Sequence, residues 1–139
     1  MSAVDSLIRL HRWQLDERRR ELADLEALAE KFRQDGVRLV EEKNAEQAIA
    51  AASPEALSAY AGYARRFIER RVKLEQSLAS IEARIVAARD ALAEAYQEVK
   101  RYEIAANNRA MQQRKRLERA QQATLDEVGI ENFRRKKKN

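Results

Sequence analysis

The sequence has no cysteine, one proline and three glycines in 139 residues. Without cysteine there is no disulfide, no thiol nucleophile and no thiolate metal site. With so little proline and glycine the backbone has few places to turn, which favours long regular elements. Histidine occurs once, at His11, and no second imidazole or acidic cluster stands beside it to complete a metal site. There is no Gly-rich phosphate loop and no G-x-G-x-x-G. Carboxylate neighbours such as Glu41 and Glu42 lie in a stretch with no turn around them to build a pocket. These absences remove the usual catalytic constellations, so the expectation is a non-enzyme with no cofactor and no metal. No apolar run approaches the roughly 18 residues of a membrane span, so no direct membrane insertion is expected. The opening MSAVDSLIRLHRW carries charge early and lacks an apolar core, so it does not read as a signal peptide, and the expected location is cytoplasmic.

What is present is helix-forming. Ala, Glu, Arg, Leu and Gln dominate, and 37% of residues are charged. Strong helix formers with thin apolar content suit helices that each bury one narrow stripe. Ser2 with Asp5 three residues on has the form of a capping box and starts helix one. Ile8, Leu15, Leu22 and Ala29 repeat every seven residues, and Val4, Leu25, Phe32 and Leu39 interleave with them at spacings of four and three. That is a coiled-coil seam, with His11, Arg18, Gly36 and Lys43 also falling on it. Ser53-Pro54-Glu55 combines a good N-cap, a proline favoured at the first helical position and an early acid. Helix two then carries Tyr60, Phe67, Leu74, Ile81, Ala88, Ala95 and Tyr102, interleaved with Ala64, Leu78, Ile85, Leu92, Val99 and Ala106, and interrupted by Arg71. After Tyr102 the phase slips by one residue at Asn107-Asn108, and Gly129 offers a helix end.

The predicted architecture is all-α: a single long two-helix antiparallel coiled-coil domain whose second helix extends well beyond the first. Helix one covers about 3–49, the hairpin about 50–54 and helix two about 55–130, with a frayed tail at 134–139. Facing seam residues must have numbers totalling about 103 or 110. The first register sets Leu25 against Leu78, Ala29 against Leu74 and Gly36 against Phe67. The second sets Leu25 against Ile85, Ala29 against Ile81 and Gly36 against Leu74. Both put small residues against large ones and both centre the hairpin near 51–55, so both stay open. Helix one spans roughly 70 Å and helix two roughly 110 Å, which leaves an unpaired overhang at about 107–133.

Charge is divided along the chain. Residues 100–139 hold 12 Lys or Arg against 5 acids, while residues 1–99 hold 16 against 18. The overhang is therefore basic, yet it still carries Met111, Leu117, Leu125, Val128, Ile130 and Phe133. A lone helix with apolar residues has nothing to bury them against, which implies docking into an acidic partner or a second copy. Trp13 flanks the seam near the open end and suits either packing or a protein contact. A second apolar ridge, Tyr63, Ile68, Val72, Ala79 and Val86, lies beside the seam of helix two, where helix one offers little beyond Leu28 and Val40 to cover it. The basic runs RKRLER and RRKKK meet a charge-only test for nucleic acid, but no zipper follows a basic region and aromatic interleaving is thin, so nucleic acid is not the expected partner.

The order of four stretches resembles the FliJ family, small stalk and escort proteins of bacterial flagellar type III export. They are DSLIRLHRWQLDERRRELADLE at 5–26, YARRFIERRVKLEQSLASIEARI at 63–85, ALAEAYQEVKRYE at 91–103 and LDEVGIENFRRK at 125–136. Together they span essentially the whole chain, and the specificity lies in their order and spacing. The resemblance implies an antiparallel coiled coil like the rotating stalk of F-type ATPases. It implies three partners: the hexameric flagellar export ATPase, the cytoplasmic domain of the membrane export gate, and export substrate chaperones. It also implies peripheral association with the inner-membrane export apparatus at the flagellar base, and hence a part in motility. By resemblance the ATPase-binding residues are Leu7, Leu10, Trp13, Leu117, Leu125 and Phe133. The gate-binding positions match Phe67, Arg71, Leu74 and Leu78, with Tyr63 and Ile68 on the adjoining ridge. Arg71 stands where the family has an apolar residue and Leu78 where it has a histidine. The seam reading buries most of these gate positions. The alternatives are a coiled-coil adaptor or homodimer, the analogous stalk of a needle-type secretion system and, further off, a basic nucleic-acid binder.

Overall fold

The computed structural model describes residues 2–138. Among them are two helices and no strand: α1, Ala3–Ala50, and α2, Pro54–Lys138. Both starts are capped as the sequence indicates. The Asp5 backbone N–H donates to Ser2 Oγ at 3.2 Å and the Ser2 N–H donates to the Asp5 carboxylate at 3.4 Å, a reciprocal box that satisfies two otherwise orphan donors. At α2 the Ala56 N–H donates to Ser53 Oγ at 3.1 Å and Pro54 occupies the first helical position, where a missing N–H costs nothing. The turn between them is Ala51-Ala52-Ser53.

Two expectations about the end of α2 need correction. Gly129 does not end the helix: no glycine has positive φ, so the left-handed cap a glycine stop requires does not form. Residues 134–138 are helical rather than frayed, and the basic last turn, Arg135 to Lys138, suits the negative helix end. Asn139, the last residue of the expected tail, lies outside the described residues.

Packing divides the described chain into two compact units. The first is Trp13–Tyr96. Its core is Leu25, Ala29, Ile81, Ile85 and Ala88, with Leu22, Leu28, Phe32 and Leu78 packed against it. The unit adopts the register totalling 110. A Cβ placed on Gly36 would lie 3.5 Å from Leu74 Cδ2, and Lys43 Nζ sits 5.4 Å from the Phe67 ring centroid. Ion pairs flank this seam: Glu26 with Arg89 at 3.4 Å, Arg33 with Glu82 at 3.5 Å and Glu42 with Arg70 at 3.6 Å. Each is largely exposed and individually weak, but all three belong to this one alignment. Leu28 packs on the core and so is not available to cover the second ridge of α2.

The second unit joins the residues up to Arg12 with those from Gln97 on. Ile8 and Val99 are buried in it. His11 stacks on Tyr102 with ring centroids 4.5 Å apart, and Arg12 donates to Glu103 at 3.1 Å. Partial burial persists to Ala106; every described residue from Asn107 to Lys138 is exposed.

Candidate docking surfaces

In the unit that holds residues 97 onward, the basic segment of α2 is helical and open on all sides. Ala110, Leu117, Thr124 and Val128 succeed one another at spacings of seven, seven and four, which aligns them on one face. By the same count Arg119 falls on the opposite face, while Arg109 and Arg116, each one residue before a member of the row, lie on its flank. Leu117, Leu125 and Phe133 are 59%, 65% and 66% exposed, and Met111, Val128 and Ile130 are exposed as well. So many apolar side chains on an uncovered helix mark a contact surface, and the lysines and arginines around them favour an anionic one. At the other end of the same unit, Leu7 and Leu10 are exposed on α1. Their neighbour Arg12 holds the Glu103 carboxyl below its ordinary range, through that hydrogen bond first and then through the nearby Lys100 charge, with desolvation opposing. Trp13, 58% exposed, belongs to the other unit.

Within Trp13–Tyr96 the notable feature is an open apolar groove of about 540 Å³ centred on Gly36. Phe32, Val37 and Val40 line it from α1, and Phe67, Arg71, Leu74 and Leu78 from α2. It exists because Gly36 puts no side chain where the seam expects one, so Leu74 meets backbone and the space beside it stays unfilled. Four positions that the sequence singled out for a partner thus come together on one groove. They are not equivalent. Phe67 is buried, 7% exposed, beneath Lys43, because it occupies the seam; it is corrected from a docking side chain to a floor residue. Leu74 and Leu78 are half-buried and Arg71 is exposed, bound to Glu75 at 3.0 Å within its own helix. On the ridge, Ile68, Val72 and Val86 are exposed. Tyr63 is only half-exposed, and its hydroxyl is enclosed with no hydrogen-bond partner. Burial, then Glu42 and Glu46, raise its pKa. Val37 and Val40 also line the groove; neither was placed there from the sequence, although Val40, one step off the seam near Gly36, was a usable signal.

The residues assigned to the seam are enclosed: Ile8, Leu15, Leu25, Leu39, Ile81, Ile85 and Val99 are buried, and Leu22, Phe32 and Leu92 half-buried. Among the described residues no group of His, Cys, Asp and Glu could hold a metal ion, and no helix is long and apolar enough to cross a membrane. Two paired helices, with a basic, uncovered helical segment in α2, define an all-α coiled-coil protein. The family model described as Flagellar FliJ protein matches residues 1–138, and the chain belongs to that family. Its role is accordingly a non-enzymatic one related to flagellar export. No curated protein and no solved structure matches the chain.

Proposed function

We propose that this chain is a central-stalk and chaperone-escort component of the flagellar type III export apparatus. In this reading it binds the hexameric export ATPase through the uncovered end of α2, carried by Leu117, Leu125 and Phe133, with Leu7, Leu10 and Trp13 of α1 as further contacts. The cytoplasmic domain of the membrane export gate docks on the Gly36 groove, reaching Arg71, Leu74 and Leu78, with Ile68 at its edge. Export chaperones are carried as cargo, and the protein sits peripherally at the inner-membrane apparatus. The observation that carries the reading is the run from Asn107 to Lys138, helical and exposed throughout, with apolar and basic side chains interspersed. A helix of this kind is stabilised by burial against a partner, and its positive charge selects an acidic one.

The experiment is a titration of the cognate export ATPase with the full chain and with a truncation ending at Tyr102, reading hydrolysis rate and hexamer assembly. Stimulation by the full chain alone supports a stalk acting through the uncovered segment. Equal stimulation by both moves the active surface to the paired helices. No binding by either refutes the reading and leaves a coiled-coil adaptor.

A further inference from the structure

We propose that the Trp13–Tyr96 unit is bistable in register: α2 can slide one heptad along α1, and the slide closes the groove at Gly36. A seam that repeats every seven residues is preserved by a shift of seven. In the observed pairing Gly36 meets Leu74 and the groove beside it stands open. Moved by one heptad, about 10.5 Å at 1.5 Å per residue, α2 brings Phe67 opposite Gly36. A large aromatic seam side chain then fills the space that the smallest leaves. Lys43, now over the Phe67 ring, passes to Tyr60, another aromatic face that receives a cation equally well. Ala29 exchanges Ile81 for Leu74, Leu25 exchanges Ile85 for Leu78 and Leu39 exchanges Arg71 for Ala64, while Phe32 exchanges Leu78 for Arg71, so apolar partners are kept at three of these four positions.

The turn favours the alternative. The observed pairing, with numbers totalling 110, centres on residue 55 inside the first turn of α2. The slipped pairing centres between residues 51 and 52, within the Ala51-Ala52-Ser53 turn itself. What holds the observed register is charge. The slide breaks Arg33–Glu82, Glu26–Arg89 and Glu42–Arg70 and, because α1 runs unbroken through Arg12 and α2 through Gln97, it also parts Arg12 from Glu103 and His11 from Tyr102. It sets Glu26 beside Glu82 and Arg19 beside Arg89, and returns Arg33 to Glu75 and Arg70 to Asp35. The pairs broken within the Trp13–Tyr96 unit have side chains about half exposed, and such pairs are individually weak. The slipped register is therefore a minor state separated from the observed one by weak interactions, and any partner that needs the open groove selects against it.

The chain has no cysteine of its own, so paired cysteines report register directly. Three double variants are compared under mild oxidation, each checked for helicity by circular dichroism. Ala29→Cys with Ile81→Cys reads the observed register and closes fast. Ala29→Cys with Leu74→Cys reads the slipped register; one heptad out of reach in the observed pairing, beyond the roughly 7 Å limit for a disulfide, it closes slowly but to completion. Ala29→Cys with Phe67→Cys, two heptads out, stays reduced and measures closure through unfolding. Adding Glu82→Arg to the second pair repels Arg33 in the observed register and attracts Glu26 in the slipped one, so closure accelerates about fivefold. The proposal is overturned if the Leu74 pair stays reduced like the two-heptad control, or if Glu82→Arg leaves its rate unchanged.

Discussion

Leu25→Ala tests the packing at its centre. Leu25 is 6% exposed and sits in the cluster with Ala29, Ile81, Ile85 and Ala88. Truncation to alanine in a core costs the lost transfer energy plus the cavity left behind, about 2–5 kcal/mol across known sites. The lower part of that range applies here. Two helices form a single layer, so water reaches the vacated space and the neighbours can close over it. The expected loss is about 2–3 kcal/mol. With a urea dependence of about 1–3 kcal/mol per molar, the midpoint of the ellipticity transition falls by roughly 1–2 M. Leu117→Ala is the matched control: the same atoms are removed from a side chain 59% exposed, so stability changes by less than about 0.5 kcal/mol. A loss below about 0.5 kcal/mol for Leu25→Ala, or equal losses for both variants, would refute the assignment of Leu25 to the seam and Leu117 to an uncovered face.

Three further outcomes are expected. Gly36→Ala places its methyl at ordinary contact distance from Leu74, 3.5 Å, with no positive φ to strain; it should raise stability by about 0.5–1 kcal/mol through helix propensity, read from the same urea transition. Glu103 has a carboxyl pKa depressed below its ordinary value of 4.5, so its pairing supports the fold above that value and is lost as pH falls through the depressed one. Carbon-detected NMR titration should show the Glu103 pKa rising towards its ordinary value in Arg12→Ala, and an unchanged pKa would contradict the pairing. Replacing Lys136, Lys137 and Lys138 by Gln should leave the melting curve unmoved and weaken ATPase binding at low salt, with the difference vanishing as salt screens it; equal affinity at low salt would show the basic end to be idle.

Much of this protein follows from composition and spacing alone. Ser2 with Asp5 and Ser53 with Pro54 mark the two helix starts because capping is local chemistry, set by residues within one turn. The seam is legible because Ile8, Leu15, Leu22 and Leu25 keep a period that only a paired helix uses. The uncovered segment is legible from its own composition: past Asn107 the seam has slipped in phase, and lysines and arginines outnumber acids. Other features needed the tertiary structure. Gly129 reads as a stop, yet a glycine ends a helix only if the backbone turns left-handed, and here it does not. Phe67 could have been a contact or a floor, and Lys43 lying over it decides. The register itself was degenerate, since a heptad repeat looks the same after a shift of seven. The tie is broken by charges beside the seam: Glu26 meets Arg89 and Arg33 meets Glu82 in one alignment, whereas Glu26 meets Glu82 and Arg19 meets Arg89 in the other. Those residues were in the sequence from the start, but which of them face each other depends on where two helix surfaces touch, and only the packed pair of helices defines that.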